Sequence, residues 1–143
     1  MKTNVTNQDI NNLRDKSSII GGLWKPDDCV AKFRTALIIP INNNELYNSY
    51  YTTFIFHIHT FLRRQKLNYG VYFVTTDPNN KELKFNKGIL SNAGFNEAIK
   101  DQDYDCFIFH DVDMVPLNEQ NIYECNSEYP IRFASYSSFK FSK

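Results

Sequence analysis

Two carboxylates one residue apart, placed where a buried strand leaves its sheet, can hold a divalent cation, and Asp111-Val112-Asp113 has that arrangement. Such carboxylates repel each other unless a cation neutralises them, and their hard oxygens suit Mg²⁺ or Mn²⁺ bridging to a diphosphate. The triplet alone is weak, because Asp101-Gln102-Asp103 and Asp103-Tyr104-Asp105 repeat it. Context separates them. The first two lie in a polar run between apolar segments and read as a solvated turn. The third directly follows Cys106-Phe107-Ile108-Phe109, so it emerges at a strand end, where an Asp turn closing the strand is the competing reading. His110 adjoins the carboxylates and is either an orienting residue or simply half-buried. His57 and His59, two apart on a helix, point to nearly opposite faces, which argues against a shared metal. Lys87, after Phe85-Asn86 at a helix start, either meets a phosphate there or faces solvent.

The elements that must position these residues alternate along the chain. Residues 35–41 (TALIIPI) form an apolar, β-branched run and predict a buried strand ending near Pro40, followed by a turn at Asn42-Asn43-Asn44. Leu46, Tyr50, Phe54, Ile58 and Leu62 recur every fourth residue and predict an amphipathic helix. Residues 69–75 (YGVYFVT) predict a second strand, and Ile89, Leu90, Phe95 and Ile99 the apolar side of a helix over residues 86–100. Residues 106–109 complete a strand, helix, strand, helix, strand series, the pattern of an α/β layer with a largely parallel sheet and ligands at the carboxyl ends of its strands. Residues 1–18, polar and Asn-rich, read as a flexible leader preceding a single domain over residues 19–143. Residues 21–29 read as a turn in which Trp24 pins a loop to the core.

Composition narrows the function classes. A chain of 143 residues is the size of one domain and can bury roughly 68–70% of its unfolded surface. Sixteen basic residues balance sixteen acidic ones and are scattered, not striped, which argues against nucleic acid as a partner. No apolar run is long enough to span a bilayer, so no membrane segment is expected in this chain. Cys29, Cys106 and Cys125 lack metal-knuckle spacing and, by arithmetic alone, leave the compartment open. The sequon Asn4-Val5-Thr6 carries little weight in a chain this rich in Asn.

Six ordered blocks go further. They are Gly21-Gly22-x-Trp24-x-Pro26-x-Asp28-Cys29, Ala36-Leu37-Ile38-Ile39-Pro40, Phe61-Leu62-x-Arg64-Gln65-x-Leu67-x-Tyr69-Gly70, Phe85-Asn86-Lys87, Asn92-Ala93-Gly94-Phe95-x-Glu97-Ala98, and Asp105-Cys106-Phe107-Ile108-Phe109-His110-Asp111-Val112-Asp113. In this order and spacing they resemble the β-1,4-galactosyltransferases of animals. The resemblance implies a GT-A fold with a Rossmann-like, mostly parallel sheet flanked by helices, incomplete in this chain. It also implies a UDP-hexose donor, Mn²⁺ as cofactor, and inverting transfer to a terminal sugar of a glycan acceptor in the Golgi lumen. By position it implies that Asp113 ligates the metal, that Asp111 and Val112 lie against the donor, and that Phe85, Asn86 and Lys87 occupy the family's Phe-Asn-Arg block at the nucleotide. Pro40, Ile41, Asn42 and Asn44 fall on its Pro-Phe-Arg-Asn-Arg block. A disulfide between Cys106 and Cys125 is implied as well, with Cys29 left unpaired.

The departures from the family are chemical. Both arginines of the Pro-Phe-Arg-Asn-Arg block are replaced, by Asn42 and Asn44, and neutral amides make weaker contacts to a diphosphate. Lys87 keeps the charge of the block's arginine but not its planar, bidentate guanidinium. The family's Trp-Gly-Trp-Gly stretch and its following acids, which supply acceptor contacts and the base, have no counterpart in these 143 residues. These residues on their own are therefore expected to hold mainly the donor and metal half, to contain no catalytic residue, and to transfer no sugar. Two other readings compete. One is a non-catalytic sugar-nucleotide or protein-binding relative, favoured by the lost arginines. The other, more distant, is a haloacid-dehalogenase-like phosphatase with Asp111 as nucleophile, which needs a downstream Lys and acidic pair that these residues do not supply.

Overall fold

The computed structural model describes residues 5–15, 22–42, 48–77, 84–125 and 128–132. Their elements run α1 (Asn7–Asp15), β1 (Leu23–Trp24), β2 (Arg34–Pro40), α2 (Asn48–Arg64), β3 (Asn68–Val74), α3 (Lys87–Asp101) and β4 (Cys106–Phe109). The four strands form one sheet in the order β1-β3-β2-β4. Strand β2 is parallel to both β3 and β4, with Ala36 beside Gly70 and Phe107, and only the two-residue β1 runs antiparallel. Since β2 is followed by β3 on one side and β4 then returns to the other, the strand order reverses between β2 and β4.

Side-chain alternation assigns the two faces. Leu37, Ile39, Tyr69, Val71, Cys106 and Ile108 pack with Phe54, Ile58, Phe61 and Leu62 of α2 in the larger core. Ala36, Tyr72 and Phe107 lie on the other face with Ala98 of α3 and Tyr104. The result is a three-layer α/β/α unit, with β2 at its centre buried through six of its seven residues.

The helices bury part of the faces that their apolar residues suggest. In α2 Phe54, Ile58 and Leu62 are buried, but Tyr50 is 53% exposed. A strict four-residue repeat drifts by about 40° per step on a helix of 3.6 residues per turn, which carries Tyr50 off the buried side. In α3 the correction is larger: Leu90 is buried and Phe95 packs on Phe107 at 4.6 Å, as expected, but Ile89 and Ile99 are exposed and Gly94 and Ala98 are buried in their place. A Cβ at Gly94 would come within 2.6 Å of both Ile38 Cγ2 and Val74 Cγ2. Small residues therefore set how closely α3 approaches the sheet, and apolar periodicity cannot see them. Residues 106–109, expected to be fully buried, form an edge strand on which Phe109 is 54% exposed.

The segment read as a flexible leader contains α1. Thr6 and Asp9 cap it reciprocally: the Asp9 N–H donates to Thr6 Oγ1 at 3.3 Å and the Thr6 N–H to Asp9 Oδ2 at 2.8 Å. The helix lies against α2, so capping and docking offset its weak apolar content. Trp24 pins its segment as expected, its ring 5.6 Å from that of Tyr69. No helix among the described residues is long and apolar enough to cross a membrane.

His59 is a buried titratable group on α2. Its Nδ1 lies 2.8 Å from the Tyr69 hydroxyl, and burial first, then the charge of Arg63, pushes its pKa down to about 4. A histidine with a depressed folded-state pKa takes up its proton more readily when unfolded, so stability falls as pH drops below the ordinary value of about 6.5. Linkage then costs about 2 kcal/mol of stability by pH 5. Urea denaturation of wild type and His59→Gln at pH 7 and pH 5 checks this: the wild type should lose more than the variant, and equal losses would exclude His59 as the source. His110, shifted in the same direction, acts in both proteins and cancels in the comparison.

Candidate functional site

The three parallel strands end at one edge of the sheet, and the candidate residues gather there. Pro40 is the buried last residue of β2, and the Ile41 N–H donates to the Val74 carbonyl at 2.8 Å, so this segment is fixed against the end of β3. Asn42 is exposed, and its carbonyl accepts a hydrogen bond from Tyr51 of α2. Asn44 lies outside the described residues. Beyond β4, the His110 N–H donates to the Ile38 carbonyl at 2.9 Å, continuing the ladder and delivering Asp111 beside the end of β2. Residues 40–42 and 111–113 thus flank the point where strand order reverses, the crevice in which open α/β sheets take ligands.

The amino end of α3 forms the third wall. Asn86 caps the helix, its Oδ1 accepting from the Ile89 N–H at 3.1 Å. Lys87 reaches across to pair with Asp111 Oδ1, joining α3 to the carboxylate turn. Phe85, just before the cap, is 43% exposed.

The turn itself is closed by the Met114 N–H donating to the Asp111 carbonyl at 3.2 Å. Val112 packs on the larger core, while Asp113 is exposed to solvent. His110 stacks on Phe54 at 5.2 Å, with Nδ1 2.8 Å from the Asp111 carbonyl and Nε2 2.8 Å from the Tyr123 hydroxyl. Burial lowers its pKa, against the opposing bond to Asp111 and the charges of Asp111 and Asp113. Burial also pushes the Tyr123 phenol up to about 12, which keeps it a donor.

The other two Asp-x-Asp triplets are structural. Asp105 Oδ2 accepts the Arg34 N–H at 2.8 Å, the Arg34 guanidinium donates to the Asp103 carbonyl at 3.0 Å, and Asp101 accepts from Tyr72 at 2.6 Å. The Arg34 bonds clamp the start of β2 to the segment entering β4, beside a polar cleft of about 260 Å³ that lies away from the carboxylate turn, while the Asp101 bond ties the end of α3 to β3.

Sequence reasoning missed the strap over residues 118–125. The Gln65 amide donates to the Asn121 carbonyl at 2.7 Å and Gln65 Oε1 accepts the Tyr123 N–H at 3.1 Å, while Thr35 Oγ1 donates to the Tyr123 carbonyl at 3.0 Å. Cys125 is disulfide-bonded to Cys106 with Cα atoms 5.3 Å apart, and Cys29 is free and exposed. Tyr123 carried no periodicity signal; its place two residues before Cys125 was the available clue.

Asp111 and Asp113 fit a divalent cation as a partial ligand set. Among the described residues no group of three or more His, Cys, Asp or Glu could hold a metal. Mg²⁺ and Mn²⁺ sites often draw only one or two carboxylates from protein and complete their shell with phosphate oxygens and water. Oxygens of two carboxylates on one turn suit that mode.

The chain matches the family model of the N-terminal region of glycosyl transferase group 7 over residues 1–126. It is 40% identical over 109 residues to bovine β-1,4-galactosyltransferase 1, covering 76% of this chain and 26% of that protein. Against the β-1,4-galactosyltransferase 4 of Cricetulus griseus the identity is 43% over 110 residues, covering 77% and 30%. The pig β-1,4-galactosyltransferase 5 matches at 38% over 125 residues, covering 85% and 30%. The chain therefore spans between about a quarter and a third of the length of these relatives. Among solved structures, a mutant Drosophila β-1,4-galactosyltransferase 7 in complex with manganese, UDP-Gal and xylobiose superposes with a TM-score of 0.56 at 30% identity, covering 67% of this chain and 37% of that one. Six sequence blocks, a partial GT-A-like sheet and these matches agree: the chain belongs to glycosyl transferase group 7, a family of glycosyltransferases that includes the β-1,4-galactosyltransferases.

Proposed function

We propose that this chain carries the donor and metal side of a Mn²⁺-dependent, inverting galactosyltransferase that uses a UDP-hexose and transfers to a terminal sugar of a glycan. The observation that carries this reading is the crevice at the strand-order reversal, where residues 40–42, the start of α3 and the carboxylate turn meet. The manganese, UDP-Gal and xylobiose of the Drosophila neighbour support the choice of ligands. Asp113, with Asp111, would hold Mn²⁺, which when bound neutralises the charge of a departing diphosphate. Lys87 and the N–H groups at the start of α3 offer the phosphates positive charge and donors. Phe85, half-exposed and aromatic, offers the base a stacking surface. His110, the imidazole beside the turn, has both ring nitrogens engaged and is not the base of the transfer. The disulfide between Cys106 and Cys125 supports a lumenal, oxidising compartment such as the Golgi.

Titration calorimetry with UDP tests the reading. Binding is expected with Mn²⁺ present and at least about tenfold weaker with a chelator in its place, as expected when the metal bridges the diphosphate. UDP binding that ignores the metal, or no binding in either condition, would overturn it.

A further inference from the structure

The Asp111 carbonyl is the point from which the carboxylate turn departs, and it accepts two hydrogen bonds. The Met114 N–H, 3.2 Å away, closes the turn in which Val112 and Asp113 are the central residues. His110 Nδ1, 2.8 Å away, supplies the second. A carbonyl oxygen only accepts, so Nδ1 carries a proton, and in an imidazole with that one proton Nε2 is the acceptor. Nε2 is filled by the Tyr123 hydroxyl at 2.8 Å, which is therefore the donor. Tyr123 is itself anchored by Gln65 and Thr35 and lies edge-on to Phe61 at 5.5 Å. Phenylalanine would serve that packing equally well. A largely buried hydroxyl costs stability unless it is bonded, and here its bond goes to the one histidine that holds the turn.

We propose that Tyr123 is a positioning residue for Asp113: its hydroxyl, bonded to His110 Nε2, holds the ring where Nδ1–H meets the Asp111 carbonyl, and that bond keeps the carbonyl in the orientation from which Asp113 is presented. The consequence for ligand binding rests on the donor-site reading above; the consequence for the turn does not.

The variant Tyr123→Phe removes the hydroxyl that bonds His110 Nε2 and keeps the ring. In ¹⁵N-resolved spectra, with the His110 signals assigned through His110→Phe, the wild type should show a protonated Nδ1 and a bare Nε2. Tyr123→Phe should move the Nε2 signal as that nitrogen loses its partner and speed hydrogen exchange at the Met114 amide. Its Mn²⁺-supported affinity for UDP should fall about tenfold, the low end of the loss seen when an outer-shell partner of a metal ligand is removed. Tyr69→Phe breaks a similar bond, to His59 Nδ1 at 2.8 Å, and should change none of the three. If Tyr123→Phe leaves the Met114 exchange unchanged, or if Tyr69→Phe lowers UDP affinity equally, the proposal is wrong. If the exchange responds while the wild type binds no UDP with Mn²⁺, the positioning of the turn stands and the donor-site reading is what fails.

Discussion

Removing the bridge between Cys106 and Cys125 is expected to lower the unfolding free energy by about 3 kcal/mol, the loop-closure value for a cross-link of this span. The two cysteines are 19 residues apart in sequence, and the loop they close carries the carboxylate turn and the strap. Domains have about 5–15 kcal/mol in total, so this is a large share. Cys106 is 1% exposed within the larger core, where a serine hydroxyl would need a partner, so Cys106→Ala with Cys125→Ala is the cleaner variant. Its urea midpoint should fall without a lower slope, and a loss below about 1 kcal/mol would show that hydrogen bonds alone hold the strap. Reducing agent should reproduce the shift in wild type and leave the double variant unmoved.

Strands β2 and β4 were legible because a short, continuous run of β-branched and aromatic residues, bounded by polar turn residues, is too brief for a helix and too apolar for a loop. Their parallel pairing followed from the helices between them, and the location of Asp111 and Asp113 followed from the strand end. The packing of α3 was legible in half: Leu90 and Phe95 of its expected apolar side do pack, but Ile89 and Ile99 do not, and Gly94 and Ala98 share the contact because at Gly94 the helix sits too close to Ile38 and Val74 for a larger side chain. Nor was the strap, which is held by polar bonds from Gln65 and Thr35 and so leaves no periodic trace. The small helix α1 was hidden for the opposite reason, since its apolar content is low and its cap, Thr6 with Asp9, is only visible once the helix is known to start there.

Asp113→Asn and Lys87→Met should move metal and nucleotide binding in different ways, and the difference separates a donor site from a plain Asp turn. Asp113→Asn removes an exposed anionic oxygen while keeping the side chain's shape. If that oxygen ligates the metal, Mn²⁺-supported UDP affinity should fall about 100-fold, the upper end of what the loss of an outer-shell partner costs. Lys87→Met has two opposed effects. It frees Asp111 from its ion pair, but that pair is more than one-third exposed on both sides, and such pairs contribute at most about 1 kcal/mol. Affinity for Mn²⁺ alone should therefore rise only about two- to fivefold. If Lys87 meets the diphosphate as proposed, the variant also loses a charge-assisted bond worth about 1.5–3 kcal/mol, or tenfold and more in affinity. The second effect is larger, so UDP with Mn²⁺ should bind more weakly even as Mn²⁺ alone binds more tightly. A plain Asp turn predicts no change in UDP binding for either variant. An unchanged UDP affinity in Asp113→Asn, measured by calorimetry at fixed Mn²⁺, would sink the assignment of that residue, whatever Lys87→Met does.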